Sequence, residues 1–291
     1  MKVSYLGPVG TFTEMAAKAF FPLSDRVPFK TIPACIEAVA EEACDACVVP
    51  IENTIEGSVN MTIDYLVHKQ RLPIMGTITI PIAQHLLMHP KQAGKTPKKI
   101  ISHPHAIAQC HDYLQSEYSL VDTEFMNSTA EAAQMVANHP DQPIAAIANE
   151  LAASEYELDF VGYDIHDYNN NHTRFIVLAK EETKLKLPAL NSGYKTTLMV
   201  TLPSDYSGAL HQVLSAFAWR KLNLSKIESR PTKTGLGNYF FLIDVDQLQD
   251  DVLIPGVKSE LEALGCGVDI LGSYPCVHYQ DQSKKTSPTS C

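Results

Sequence analysis

Short apolar runs alternate with segments of helical period through the first half of the chain, and this alternation restricts the fold more than any other feature of the sequence. Lys2 to Leu6, the residues around Val27 to Thr31, and Ala46 to Val49 read as strands, while Thr11 to Phe21, Pro33 to Ala43 and Ser58 to His68 read as helices. A β-α-β-α rhythm implies a mostly parallel sheet, because each crossover helix returns the chain in the same direction. An extended segment, Ile74 to Met88, then leads into a second set. Its strands are Lys99 to Ser102, Leu120 to Met126 and Ile144 to Ile147, and its helices His105 to Glu117, Thr129 to His139 and Asn149 to Tyr156. A last strand, Arg174 to Ala179, follows the polar stretch Tyr168 to His172 and is placed to return to the first set. Two α/β lobes joined by two crossings leave a cleft between them.

The apolar rhythm stops at Glu181 to Tyr194, where Lys, Glu, Pro, Asn, Ser and Gly replace it, and residues 181–194 read as a linker. Beyond it the order is strand Thr196 to Leu202, helix Ala209 to Lys221, strands Leu224 to Arg230 and Tyr239 to Val245, helix Val252 to Leu264, and strand Val268 to Tyr274. That β-α-β-β-α-β succession is the ferredoxin-like signature. The tail, 277–291, is polar and low in apolar residues, so no packed structure is expected of it.

A chain of 291 residues has room for about two domains. Its formal charge of −10 and its lack of a long Lys/Arg cluster argue against nucleic acid as a partner, since a phosphate backbone needs a basic face. No apolar run approaches the ~20 residues of a membrane span, and the first residues enter a strand rather than an export signal. The seven cysteines are odd in number and lie in apolar surroundings, which suits reduced thiols in the cytoplasm. Cys44 and Cys47 form C-x-x-C, but a structural zinc site needs four ligands.

Three turns combine polar groups with a helix start, where unpaired N–H groups and the helix dipole favour anions. They are Gly7 to Glu14, Asn127-Ser128-Thr129, and Pro50 to Ser58. Thr11 with Glu14, and Ser128 with Glu131, also fit the capping box, which serves stability alone. Ligand site and plain cap both remain open from these residues. At Ser102 to Cys110, Pro104 suits a first helical position, and His105 and Gln109 fall on one face. His103, His105 and His111 lack a carboxylate or thiolate at ligand spacing, so no metal is expected. Arg174 enters an otherwise apolar strand either as a structural ion pair or as a fork for a carboxylate.

In combination these segments resemble the prephenate dehydratase family. The resemblance rests on Thr173-Arg174-Phe175, Gly7-Pro8-x-Gly10-Thr11-Phe12, Pro50-Ile51-Glu52-Asn53, Gly57-Ser58, Ser102-His103-Pro104, Gln109-Cys110 and Asn127-Ser128-Thr129, in the family's order. Residues 195–276 resemble the ACT domain attached to such enzymes, through Gly208-Ala209-Leu210 and Glu228-Ser229-Arg230-Pro231. The resemblance implies a two-lobed, periplasmic-binding-protein-like α/β catalytic domain over 1–180, with lobe 1 at 1–78 and 164–180 and lobe 2 at 79–163, followed by the ferredoxin-like α+β ACT domain. His105 and Thr54 depart from the family, which commonly has Gln and Ser there. No chorismate mutase bundle precedes the first strand, so a monofunctional enzyme is expected.

The implied reaction is decarboxylating dehydration of prephenate to phenylpyruvate, without metal or other cofactor. Thr173 would stand nearest the chemistry, with Asn53, Ser102 and Gln109 fixing substrate and sharing proton delivery and Arg174 orienting a carboxylate. Thr11, Phe12, Ser58, Asn127, Ser128, Thr129 and Phe175 would line the substrate site. Phenylalanine would bind between two ACT domains, at Gly208, Ala209 and Leu210 on one and Ile227, Glu228 and Ser229 on the other, in a homodimer or homotetramer. Ser207 would cap the helix beginning there. Two rivals stand beside this reading: arogenate dehydratase, and a cytoplasmic regulator that only binds a small anion.

Overall fold

The computed structural model describes residues 1–92, 94–180, 185, 192–204, 206–232 and 239–279. Residues 181–184 and 186–191 of the expected linker, and 280–291 of the expected tail, lie outside these. The chain divides into two compact units. The first takes Met1–Gln70 and Ile78–Phe175 with Tyr279, and the second takes Arg71–Thr77 and Ile176–His278.

In the first unit, β1 (Lys2–Leu6) pairs in parallel with β2 (Asp25–Phe29) and with β3 (Ala46–Asn53). The sheet continues β2-β1-β3-β11-β5, where β5 is Ile74–Pro81 and β11 is His172–Leu178. A two-residue strand, β4 (Gly57–Ser58), turns back on the end of β3. Helices α1 (Phe12–Phe20), α2 (Ile32–Ala40) and α3 (Asn60–His68) pack on this sheet. Val3, Tyr5, Phe20, Ile36, Val48 and Ile63 are buried between them, so the apolar periodicity of the sequence becomes one core.

A second sheet runs β10-β6-β9-β7-β8, from β6 (His85–Met88), β7 (Lys99–Ser102), β8 (Asp122–Phe125), β9 (Ile144–Ala148) and β10 (Asp159–Gly162). β7 lies parallel to β8 and β9, whereas β6 is antiparallel to β9 and β10. Helices α6 (Thr129–Asn138) and α7 (Glu150–Glu155) bury alanines against Leu87, Ile101 and Ala146. Small side chains let these helices lie close to the strands.

The helix expected over His105 to Glu117 is instead two helices, α4 (Pro104–Ala108) and α5 (His111–Glu117). The Gln109 carbonyl leaves the helical pattern to accept from the Asp167 N–H at 2.7 Å, and the Asp112 N–H donates to the Asp167 carboxylate at 3.3 Å. A distant loop thus satisfies the backbone groups that a continuous helix would have paired. Strand β10 was not anticipated; its sequence, Asp-Phe-Val-Gly, is too short for a period to declare itself.

The second unit contains β12 (Tyr194–Thr201), α8 (Ala209–Ala218), β13 (Leu224–Pro231), β14 (Tyr239–Val245), α9 (Leu253–Ala263) and β15 (Gly267–His278). Its antiparallel strands run β13-β14-β12-β15. Val213, Phe217, Ile254, Val257 and Leu261 from the two helices meet Leu198, Val200 and Ile243 from the sheet. The expected Ser207 cap does not form. Gly208 is the N-cap, with φ of 92°, and supplies no side-chain oxygen.

Candidate active site

Within the first unit a cavity of about 480 Å³ opens where strand ends and helix N-termini of the two sheets converge. Thr11, Phe12, Asn53, Ser58, Gln109, Asn127, Ser128, Thr129, Thr173 and Phe175 line it, residues far apart in the chain that the sequence nominated together. Both side-chain caps form, and each N3 glutamate reaches back to the residue before the cap rather than to the cap's own N–H. Thr11 Oγ1 accepts from Glu14 N–H at 3.2 Å while Glu14 Oε2 accepts from Gly10 N–H at 2.7 Å. Ser128 Oγ accepts from Glu131 N–H at 3.0 Å, and Glu131 Oε2 from Asn127 N–H at 3.1 Å. A cap satisfies the third N–H of a helix but not the first two, so Phe12, Thr13, Thr129 and Ala130 keep backbone donors without intrahelical acceptors. Capping and anion binding are therefore compatible uses of the same turns.

The turn before α1 is held from the other side of the cavity. Asn149, the N-cap of α7, donates to Gly10 C=O at 3.0 Å, and the Tyr156 hydroxyl donates to Val9 C=O at 2.8 Å. Gly10 has φ of 85°, and a Cβ there would lie 3.2 Å from Ala152 Cα. Only glycine meets both conditions without strain.

At the centre stands Asn53, at the C-terminal end of β3. Its Oδ1 accepts from the N–H groups of Ile55 and Glu56, both at 2.9 Å, which closes the turn and fixes the amide orientation. Its Nδ2 faces Asn171 Oδ1 at 2.8 Å, Thr173 Oγ1 at 2.9 Å and His172 C=O at 3.2 Å. An NH2 group has two hydrogens, and the two shorter contacts take them. Thr173 Oγ1 therefore accepts from Asn53, which leaves its own hydrogen for the cavity. Asn171 passes the network on, donating from Nδ2 to Gln109 Oε1 at 3.1 Å. Thr54 Oγ1 donates to Asn170 C=O at 3.1 Å and accepts from His172 N–H at 2.9 Å, so threonine secures the same loop at this position.

Two nominated residues lie outside the cavity lining. Ser102 is fully buried, and its hydroxyl donates to Ile147 C=O at 2.6 Å, tying β7 to β9. Arg174 forms an ion pair with Glu52 at 2.9 Å. Strand alternation separates it from its neighbours: Thr173 and Phe175 share one face of β11 and Arg174 takes the other.

Further groups stand at the cavity or directly behind it without having been nominated. Asn171, 2% exposed, bridges Asn53 and Gln109, and the same period of two that places Thr173 would have found it. Glu56 and His105 face each other at 3.6 Å. Beside them, burial and then the nearby His105 push His103 below the usual imidazole range, which favours its neutral form. Gln84 also lines the cavity. Cys110, next to Gln109, is fully buried and its thiol is pushed up to about 12, which makes it a small apolar packing group rather than a nucleophile. Among the described residues no three His, Cys, Asp or Glu side chains gather as a metal would require.

The α/β unit thus carries a cavity at its strand ends, with two capped helix N-termini facing it and an uncharged amide network that holds a threonine hydroxyl toward it. A family model described as prephenate dehydratase matches residues 3–183, and the chain belongs to that family. A prephenate dehydratase of Bacillus subtilis (strain 168) is 56% identical over 280 residues, covering 94% of this chain and 98% of that protein. The solved prephenate dehydratase of Arthrobacter aurescens in complex with L-Phe superposes with a TM-score of 0.82 at 34% identity, over 100% of this chain and 93% of that one. A solved protein described as a novel type of quorum quenching acylase has a TM-score of 0.81 at 26% identity, over 95% and 98% of the two chains.

Proposed function

We propose that this chain converts prephenate to phenylpyruvate, carbon dioxide and water in phenylalanine biosynthesis, and that phenylalanine restrains it through the C-terminal unit. The observation that carries the reading is the Thr173 hydroxyl, which accepts from Asn53 and offers its hydrogen to a cavity lined by two helix N-termini. Prephenate has two carboxylates and a C4 hydroxyl that leaves as the ring becomes aromatic. First-turn N–H groups of α1 and α6, with Ser58, Asn127 and Thr129, suit the carboxylates. The ring carboxylate leaves as carbon dioxide, its bond pair enters the ring, and the C4–O bond breaks with its pair on oxygen.

That oxygen departs as water after receiving a proton through Thr173. A threonine hydroxyl is far too weak an acid to act alone, so it relays a proton drawn from solvent while Asn53, Asn171 and Gln109 hold it in place. Arg174 and Ser102 serve as positioning groups, the first through Glu52 on β3 and the second through the β7–β9 contact. Aromatisation drives the elimination, and no cofactor enters the scheme.

In the second unit, Gly208 has open space where a side chain would stand, Leu210 is 38% exposed, and Ile227 on the edge strand β13 is 45% exposed. Ser229 shares the exposed face of that strand with Ile227, while Glu228 turns to the other and pairs with Lys226 and Arg230. These features suit a phenylalanine held between Gly208–Ala209–Leu210 of one copy and the β13 edge of a second, in a homodimer or homotetramer. The unlinked cysteines fit a cytoplasmic setting.

The test is phenylpyruvate formation from prephenate or arogenate, with and without phenylalanine, beside a folded Thr173→Ala variant. Prephenate turnover that phenylalanine suppresses, and that the variant loses by about 10² to 10⁴, is expected. Turnover of arogenate alone would reassign the substrate. Amide hydrolysis without turnover of either would replace the reading with the activity described for the acylase.

A further inference from the structure

Gln84 is 3% exposed, lies at the crossing between β5 and β6, and lines the cavity that holds Thr173, Asn53 and Gln109. Its backbone is anchored on both sides, the N–H donating to His166 Nδ1 at 3.3 Å and the C=O accepting from Ile165 N–H at 2.8 Å. Its side-chain Oε1, by contrast, is buried without a hydrogen-bond partner. Buried acceptors in folded proteins are almost always satisfied, and an exception at a ligand cavity points to a donor that arrives with the ligand.

The chemistry of prephenate narrows that donor to one group. At neutral pH its carboxylates and its ketone only accept hydrogen bonds; the C4 hydroxyl alone carries a hydrogen to give. We propose that Gln84 Oε1 accepts the hydrogen bond of the leaving C4 hydroxyl and thereby turns a lone pair of that oxygen toward Thr173. The inference rests on the prephenate reading above.

The atoms balance under this arrangement. The hydroxyl keeps its own hydrogen on Gln84 and takes its second through Thr173, so the C4–O bond breaks to release water. Gln84 neither gains nor loses a proton. It fixes the rotation of the hydroxyl, which would otherwise present its hydrogen to Thr173 as readily as its lone pair. A site built around an acceptor for a substrate hydroxyl also discriminates against ligands that lack it, because such a ligand leaves the buried oxygen unmatched.

The full chain is to be titrated by calorimetry with two ring-saturated prephenate analogues, one bearing the C4 hydroxyl and one lacking it, neither of which can aromatise. Wild type is expected to bind the hydroxyl analogue about 3- to 10-fold more tightly, the usual net worth of one hydrogen bond. Gln84→Met, similar in length but without an acceptor, abolishes the preference and lowers kcat for prephenate on the order of tenfold with a smaller change in KM. Gln84→Glu, which keeps an acceptor, retains the preference while weakening both analogues through repulsion of their carboxylates. Gln84→Leu gives the same readout as Met should the Met variant fail to fold. An undiminished preference in the Met or Leu variant, or no preference in wild type that turns over prephenate, would overturn the role given to Gln84. Absence of prephenate turnover in wild type would instead remove the reading beneath it.

Discussion

The helix starts of the two units are built in opposite ways. At the cavity of the first unit, α1 and α6 begin with side-chain caps whose partners are themselves fixed, Thr11 with Glu14 and Ser128 with Glu131. In the second unit, α8 begins at Gly208 in a left-handed conformation, with no side-chain cap and open space beyond it. The capped turns present donors held in place before any ligand arrives, which suits chemistry. The bare turn suits a ligand that completes its own site, as the proposed phenylalanine would between two copies.

Breaking the preorganised side should cost most. Asn171→Leu removes the bridge between Asn53 and Gln109 and leaves the buried Gln109 Oε1 without its donor, so kcat for prephenate is expected to fall about 10- to 100-fold, with stability lower by about 1–3 kcal/mol. Steady-state kinetics beside a denaturant melt check both; an unchanged kcat would remove Asn171 from the relay. A smaller effect is expected at the open start. Gly208→Ala forces a side chain onto a φ of 92°, at roughly 1–2 kcal/mol, and should raise the phenylalanine concentration for half-inhibition about tenfold. An unaltered response to phenylalanine would detach that turn from regulation.

The smallest effect sharpens the comparison through pH. Burial, with a contribution from His166, pushes His85 below the usual imidazole range, while Asp164 opposes the shift. The folded state thus prefers neutral His85, and its Nδ1 accepts from Asp164 N–H at 3.0 Å. The stability it contributes is complete above the unfolded value of about 6.5 and is lost as pH falls below that toward the depressed folded value. Melting temperature should drop between pH 7 and pH 5, with a shallower slope in His85→Gln. Parallel slopes in the two proteins would assign the acid sensitivity elsewhere.

Much of this was legible in one dimension. The β-α alternation and the β-α-β-β-α-β order reappear as the sheets of the two units, and the S/T-x-x-E signals at Thr11 and Ser128 as side-chain caps whose glutamates reach back one residue further. These are local properties, written in periods of 2 and 3.6 and in offsets of three residues. The break after Ala108 was not legible, because the Asp167 loop that causes it lies 58 residues beyond Gln109 by numbering, and nothing near Gln109 announces it. Nor was the separation of Thr173 from Arg174 drawn from the motif that holds them, although strand alternation puts adjacent residues on opposite faces.

The sequence by itself determined most of the element order, the caps at Thr11 and Ser128, the family and the segments that would meet. Which atom of each segment faces the cavity was decided only by the tertiary structure: Gln84 lines it, Asn171 stands behind it and bridges Asn53 to Gln109, Ser102 turns its hydroxyl to Ile147, and Arg174 turns to Glu52. The physical reason is that caps and periods are settled within a few residues of backbone. The partner of a buried polar side chain is settled by whichever group the completed packing brings within about 3 Å, often from more than a hundred positions away.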